Sequence, residues 1–352
     1  MRAAKKILVG LGIIILLVFA IGIFLPSRVH VERQVEIDAP IATVFALVND
    51  FRQIGKWSPW QESDPNARYE ISGPPRGVGA AIAWDGNIVG RGKQKIIESV
   101  PYERVVTEID LGSPGAMVSS FQLSAGDKGT TVVWSFDAAF GLNILARYSG
   151  IMFDSIIGND YEAGLANLKK MAERMPRADF SETQIEIIVV EAQDIAYLST
   201  TSIPLAAAIS DAMRESYARI LSFIDRHGLT EAGPPISISR GYRGQDLAFD
   251  AAIPVRGITD DTPRNPAGVK LGSTYAGTVI RVKHVGSYLA LGQTHDKIAA
   301  YLAALGIERN GDAWESYVVD STRTAEADLV TYVYYPIRDS GNLPQPRAQH
   351  RD

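Results

Sequence analysis

The first strong feature along the chain is an uncharged apolar run over residues 7–25. At 1.5 Å per residue, a helix of this length nearly matches the roughly 30 Å hydrocarbon layer of a bilayer. Three basic residues precede the run: Arg2, Lys5 and Lys6. The pattern predicts a transmembrane anchor over residues 1–28, single-pass in a bacterial-type inner membrane. The N-terminus would be cytoplasmic and the remainder periplasmic.

A cleaved signal peptide is the alternative interpretation of the same run. Its apolar core would be unusually long, and no small-residue cleavage site follows residue 25. The uncleaved anchor is therefore the interpretation that the pattern favours.

In the next segment, residues 29–175, the spacing of apolar residues changes from every second residue to the spacing of a helix. Alternating apolar and polar residues over 29–37 predict a strand with one buried face. Pro40 suits a first helical position, and residues 49–60 are turn-rich. Regular turn signals between residues 68 and 137 predict a meandering antiparallel sheet. One long helix over 143–174, wrapped by that sheet, is the economical way to bury both apolar faces.

After a linker over 176–181, residues 182–338 show an internal repeat. Two amphipathic helices are each closed by a glycine, Gly228 and Gly306, 78 residues apart. Each helix precedes a pair of strands that ends in a similar motif, Ile253-Pro254-Val255 or Tyr335-Pro336-Ile337. Duplicated strand–helix–strand–strand modules predict one antiparallel sheet with both helices on one face. The cleft between the halves is a natural binding site.

The predicted fold class is thus α+β, with one transmembrane helix followed by two domains. The last residues, 339–352, are polar and contain proline, which predicts a disordered tail.

Composition limits the possible functions. The chain has 352 residues, a net charge of -5 and no cysteine. Disulfides and Cys-based zinc sites are therefore excluded. No basic cluster follows the N-terminus, which predicts that the chain does not bind nucleic acid. The five histidines have no ligand spacing, so neither a metal nor a cofactor is expected, and no complete catalytic set can be assembled.

The first domain resembles the SRPBCC (helix-grip) superfamily, which includes START domains and polyketide cyclases. The matching residues are Ile37-Asp38-Ala39-Pro40, Trp57-Ser58-Pro59-Trp60, Trp84 and Pro101-Tyr102-Glu103-Arg104-Val105. The resemblance implies a hollow between the sheet and the long helix that holds apolar or amphipathic ligands. Trp57 and Trp84 are expected to line this hollow, with plain core packing as the alternative.

The second domain resembles the GyrI-like effector-binding domain. The resemblance rests on Val282-Lys283-His284-Val285-Gly286-Ser287-Tyr288, where Ser287 replaces the family's proline, and on Trp314-Glu315-Ser316-Tyr317. No helix-turn-helix precedes the domain, so a transcription factor is not indicated. The family's acid at the position of Glu315 is associated with lipophilic cations.

Four residues are predicted to bind the ligand of the second domain. Glu315 and Tyr317 share one face of a strand, and an acid in an aromatic cleft attracts cations. Tyr288 and His284 lie in the first motif, where His284 either lines the pocket or orients the turn. An exposed Glu315 on the outer face is the alternative.

These features predict a membrane-anchored sensor or carrier for hydrophobic or amphipathic small molecules, cations included. The alternative is a hydrolase or cyclase that uses Glu315 with Tyr317 or Tyr288.

Overall fold

The computed structural model describes residues 2–112, 117–263, 268–319 and 323–338. The predicted disordered tail, 339–352, lies outside these residues. The chain divides into two compact units between Ser181 and Glu182.

The first unit contains five helices and seven strands among its described residues. They are α1 (Arg2–Phe24), β1 (Arg28–Ile37), α2 (Ile41–Val48), α3 (Phe51–Trp57), α4 (Pro59–Ser63), β2 (Arg68–Ser72), β3 (Ala81–Asp85), β4 (Arg91–Val100), β5 (Arg104–Asp110), β6 (Met117–Gly126), β7 (Gly129–Ala139) and α5 (Ile144–Ala172). The strands form an antiparallel sheet in the order β1-β7-β6-β5-β4-β3-β2. The meander and the long helix follow the predicted order.

The transmembrane helix predicted over residues 7–25 is wrong. The run forms part of α1, but among the described residues no helix is long and apolar enough to cross a membrane. The last turn of α1 instead accepts polar contacts from α5. The Arg147 guanidinium donates to the carbonyl oxygens of Ile23 (2.9 Å) and Leu25 (3.3 Å). The prediction rested on the length of the run and on its lack of charged residues. Neither property contains information about such contacts.

The segment predicted as turn-rich, 49–60, holds α3 and the start of α4. The Asp50 carboxylate accepts from the Arg52 amide (2.8 Å) and so caps α3. Pro59 is the first residue of α4. Pro40, by contrast, precedes α2 as its N-cap instead of beginning it.

The core of the first unit is a cluster of aromatic rings between the sheet and α5. Trp134 of β7 stacks on Tyr161 of α5, with ring centroids 3.7 Å apart. Trp57 meets Trp134 edge-on at 5.6 Å, is 2% exposed and donates its indole N–H to the Leu47 carbonyl oxygen (3.2 Å). The part of the predicted hollow around Trp57 is therefore filled by side chains.

The second unit contains two α-helices and nine strands among its described residues. They are β8 (Ile185–Val190), β9 (Asp194–Ser202), α6 (Ala206–Arg226), β10 (Thr230–Glu231), β11 (Ile236–Arg243), β12 (Asp246–Arg256), β13 (Lys270–Ser273), β14 (Gly277–Val285), α7 (Leu291–Leu305), β15 (Trp314–Tyr317) and β16 (Val330–Pro336). Their sheet has the order β13-β9-β12-β11-β15-β16-β14-β8, with β10 beside β12.

The predicted repeat has a geometric counterpart in the helix ends. Gly228 and Gly306 both have positive φ, at 66° and 63°. In each case the following amide donates back into the last turn, from Leu229 to Ile224 and from Ile307 to Leu302. A left-handed residue of this kind ends a helix without strain only when it lacks a Cβ.

Register shows where the two helices lie. Direct cross-strand partners point to the same face of a sheet, and Ala251, Ser237, Glu315 and Val333 form a continuous series of such pairs. Residues of α6 share a core with Ala251, and residues of α7 share one with Val333. Both helices therefore cover the same face, and Glu315 points toward them.

We expect Trp57→Ala to destabilise the first unit by about 3–5 kcal/mol, since a fully buried ring leaves a cavity that its aromatic neighbours cannot fill. Urea unfolding of the full chain, followed by circular dichroism, measures this change. Trp84→Ala, at a half-buried position, serves as the comparison and should cost clearly less. Equal costs at both positions would contradict the core assignment of Trp57.

Candidate functional site

The centre of the candidate site is the join between the two halves of the second unit. Strand β11 of the first half pairs with β15 of the second half, and Ser237 lies directly opposite Glu315. Because Glu315 faces the two helices, its carboxylate lies where the two halves join, at the position of the predicted cleft. Its side chain is 20% exposed, so the alternative of a fully exposed, outer-face Glu315 does not hold.

Both carboxylate oxygens of Glu315 have partners. His295 Nε2 lies 2.8 Å from Oε1, and the Tyr317 hydroxyl donates to Oε2. The other ring nitrogen of His295, Nδ1, lies 2.8 Å from the Tyr335 hydroxyl. Four side chains from α7, β15 and β16 thus form one hydrogen-bonded chain.

We call four tyrosines the tyrosine cage: Tyr317 and Tyr335, which belong to this chain, and Tyr217 and Tyr288, which lie beside it. The Tyr288 and Tyr317 rings meet edge-on at 5.4 Å. The Tyr217 hydroxyl donates to the Ile236 carbonyl oxygen at 2.9 Å. The cage combines ring faces and edges with a single carboxylate, the arrangement that attracts an organic cation.

Burial and the charge of Glu315 keep three of the cage phenols, Tyr217, Tyr317 and Tyr335, protonated. Burial raises the pKa of Tyr317 well above its usual value, and the Glu315 charge raises it further. The same two causes, in the same order, raise the pKa of Tyr217. For Tyr335 burial is the main cause, and nearby Arg309 opposes it. The Tyr317 hydroxyl therefore remains a hydrogen-bond donor to Glu315 at neutral pH.

The structure brings three of the four predicted ligand residues of this unit near one another and gives the fourth a different position. Glu315, Tyr317 and Tyr288 belong to the cleft. His284 lies at the turn that leads into α7, where Nδ1 contacts the Thr294 hydroxyl (2.8 Å) and Nε2 contacts the Ser287 carbonyl oxygen (3.1 Å). These contacts fit the orienting role, and a ligand role for His284 stays a prediction.

Sequence reasoning missed His295, Tyr335 and Tyr217 as site residues. His295 and Tyr217 lie at helical spacing among apolar residues, which by itself indicates only a buried helix face. A signal was present in the repeat, since Tyr217 and His295 are 78 residues apart, as are the helix-ending glycines and the pair Ser237 and Glu315. When the two halves are aligned, Tyr217 is equivalent to His295 and Ser237 is equivalent to Glu315.

In the first unit, Trp57 and Trp84 occupy different environments. Trp57 belongs to the filled core. Trp84 is partly exposed, and it lies on the same inner face of the sheet. It pairs with Gly92 of β4. Gln94, two residues farther along β4 and therefore on the same face, donates inward to the Thr107 hydroxyl (2.8 Å). Of the two, Trp84 remains the candidate for contact with a ligand.

Other features offer no competing centre. Among the described residues, no group of three or more His, Asp or Glu side chains could hold a metal ion. A cavity of ≈ 330 Å³ lies on the outer side of α6, with Phe223, Val269, Arg219 and Arg226 in its lining. It shares no residue with the Glu315 chain. Arg226 already donates to Ser222 of its own helix, so the cavity adds no obvious binding chemistry.

Family models match both units. Residues 28–173 match the model described as polyketide cyclase / dehydrase and lipid transport. Residues 183–338 match the GyrI-like small molecule binding domain. The chain therefore contains an SRPBCC-like domain followed by a GyrI-like small-molecule-binding domain, as the resemblances predicted. No curated protein matches the chain significantly.

Several solved structures are similar to part of the chain. The EcmrR C-terminal domain is 14% identical, with a TM-score of 0.36, over 44% of this chain and 98% of its own. A hydrolase from Listeria innocua is 16% identical, with a TM-score of 0.33, over 44% and 92%. An EcmrR–DNA complex is 14% identical, with a TM-score of 0.40, over 56% and 72%.

Similarities this low carry no argument about function. The prediction that the chain does not bind nucleic acid has no support from them, and it stays a prediction. The predicted periplasmic location is likewise untested.

We expect Gly92→Ala to displace Trp84, because a Cβ at this position would lie 2.2 Å from Trp84 Cζ2. The indole would lose its hydrogen bond to the Val89 carbonyl oxygen (3.3 Å). Overpacking of this kind typically costs about 1–3 kcal/mol. The change should shift the tryptophan emission of the full chain. The same substitution in a Trp84→Phe background is the control, and an equal shift there would contradict the assignment.

Proposed function

We propose that the GyrI-like domain is a receptor for amphipathic organic cations whose charged group binds beside Glu315. The observation that carries this proposal is a single, largely buried carboxylate at the join of the two halves, beside the tyrosine cage. The apolar part of such a ligand would lie between α6 and α7, where the predicted cleft opens.

Electrostatics favours a cation over a neutral molecule of the same shape. A half-buried carboxylate has lost part of its hydration, and an incoming positive charge restores that stabilisation. The cage adds attraction between the cation and the negative faces of the rings. Protonated phenols add no opposing charge of their own. A neutral isostere would gain only from burial of apolar area.

The first domain supports the wider proposal that the protein is a sensor or carrier of hydrophobic molecules. Its family model includes lipid transport in its description, and Trp84 offers an apolar contact on the inner face of its sheet. We propose that this face binds an apolar ligand, while the Glu315 site binds a cationic one. Native mass spectrometry of the purified chain would identify molecules that co-purify with either domain.

We expect Glu315→Gln to weaken binding of benzyltrimethylammonium by about 1.5–3 kcal/mol, the range for an interaction with a charged group. Gln keeps the size and removes the charge. Neopentylbenzene, in which carbon replaces the charged nitrogen, should bind the variant and the wild type equally. Calorimetric or NMR titration of the full chain measures both affinities.

Asp296→Asn is the matched control, because it removes a carboxylate from the exposed residue next to His295. It should leave both affinities nearly unchanged. Equal loss in the two variants would mean that net charge, and not the site, attracts the cation. No loss in Glu315→Gln would contradict the proposed site.

A second candidate function is hydrolysis, favoured by the hydrogen bond from the Tyr317 hydroxyl to Glu315. In this reaction Glu315 would take a proton from water as the water attacks a strained C–O bond. Tyr317 would give its proton to the departing oxygen and recover one from Glu315. The pair of acid and phenol involves Tyr317 directly, whereas the Tyr288 ring meets the Tyr317 ring edge-on.

If the domain is a hydrolase, the full chain should open styrene oxide, and both Glu315→Gln and Tyr317→Phe should reduce turnover at least 100-fold, in the range of a lost acid–base group. Product formation by chromatography is the measurement, with Asp296→Asn as the comparison that retains activity. Absence of turnover in the wild type leaves the receptor as the better interpretation.

A further inference from the structure

The pair His295–Glu315 is not required by the fold of the second unit. At the equivalent positions of the first half, 78 residues earlier, the chain has Tyr217 and Ser237. Those residues occupy the same places on a helix and a strand, yet the Tyr217 hydroxyl donates to the Ile236 carbonyl oxygen instead of to Ser237. One half therefore builds this module without an imidazole or a carboxylate. The second half has replaced both members of the pair together.

The partners of His295 fix the positions of its protons. A carboxylate oxygen accepts hydrogen bonds, so the proton lies on Nε2, 2.8 Å from Glu315 Oε1. When the ring carries this one proton, Nδ1 is an acceptor, and the Tyr335 hydroxyl donates to it at 2.8 Å. Burial raises the pKa of Tyr335, so its hydroxyl keeps the proton that this bond needs. The ring is held from both sides in one tautomer and one orientation.

The position of Glu315 depends on these contacts. Its side chain extends from a four-residue strand, and the other side-chain donor to its carboxylate, Tyr317, is only two residues away on that strand. His295 belongs to α7 and is the group that ties the carboxylate to the helix. Without it, the carboxylate loses its donor from α7 and gains rotational freedom, which lowers the affinity for a ligand that needs a fixed charge.

We propose that His295 is a positioning residue of the cation site, which holds the Glu315 carboxylate in its binding orientation through a tautomer fixed by Tyr335. This inference rests on the proposed cation receptor. It adds a residue that acts through Glu315 and makes no contact with the ligand of its own.

The first test compares three variants of the full chain in their affinity for benzyltrimethylammonium. His295→Phe removes the donor and should weaken binding roughly tenfold, the effect of a lost hydrogen bond to a charged group. His295→Gln retains an amide N–H that can reach Oε1, and it should recover most of the affinity. Tyr335→Phe retains the Nε2 donor and loses only the hydrogen bond from the Tyr335 hydroxyl to Nδ1. Because that bond does not involve Glu315 itself, binding should weaken only two- to threefold.

The second test follows the ¹⁵N NMR signals of the His295 ring. If His295 had a purely structural role, these signals would not change when the ligand binds. In the free wild type we expect a protonated Nε2 and an unprotonated Nδ1. Benzyltrimethylammonium should shift the Nε2 signal, because the cation competes for the electron density of Oε1. Neopentylbenzene should leave that signal in place. His227, on the exposed end of the other helix, is the internal reference.

The outcomes separate this inference from the proposed function. If Glu315→Gln binds the cation as well as the wild type, the receptor proposal fails and His295 loses its role with it. If Glu315→Gln is impaired while His295→Phe and the ring signals are unaffected, only the positioning role is overturned. Should His295→Phe fail to fold, the glutamine variant and the wild-type NMR titration still decide. Failure of glutamine to recover affinity, with an unshifted Nε2, overturns the inference.

Discussion

The pairing of β11 with β15 is the interaction on which the second domain depends. Only three residue pairs form it, Ile236 with Ser316, Ser237 with Glu315 and Ile238 with Trp314. These pairs join the two duplicated halves into one sheet. Because the period of a strand is two, the same pairing sends Glu315 to the helix side and Trp314 to the opposite side. A slip of one residue would exchange the two and bury the tryptophan where the carboxylate now lies.

Duplication supplies a symmetric frame, and function arises where the halves differ. Both helices end in the same glycine turn and pack on the same face of the sheet. At the centre of that face the first half carries Tyr217 and Ser237, and the second half carries His295 and Glu315. The site therefore has one charged side and one neutral side. This arrangement is the reason for proposing an amphipathic cation as the ligand.

The first domain uses its aromatic residues for two purposes. Near α3 the rings of Trp57, Trp134 and Tyr161 are stacked into a closed core, which holds the long helix against the sheet. Farther along the inner face, Trp84 lies over Gly92, where the absent side chain makes room for the indole. A single sheet thus has a packed end that supports the fold and a more open end that can meet a ligand.

The sequence by itself determined the two domains, the meander with its long helix, the duplicated modules and the common strand face of Glu315 and Tyr317. These follow from periodicity, from turn residues and from motifs, which are local properties of the chain. It also led to one wrong prediction, the transmembrane helix, since no helix among the described residues is long and apolar enough to cross a membrane.

Tertiary structure alone decided the membership of the site. His295 looked like one more position on an apolar helix face, and Tyr335 like the end of a strand. Only the packing of α7 across β15 and β16 brings their side chains to the Glu315 carboxylate. In sequence, Glu315 is 20 residues from His295 and 20 residues from Tyr335. Similarly, Trp57 and Trp84 are the same residue type, and only the fold shows that Trp57 is buried in the core while Trp84 is partly exposed. Distances of this kind are set by how elements pack, which no local pattern records.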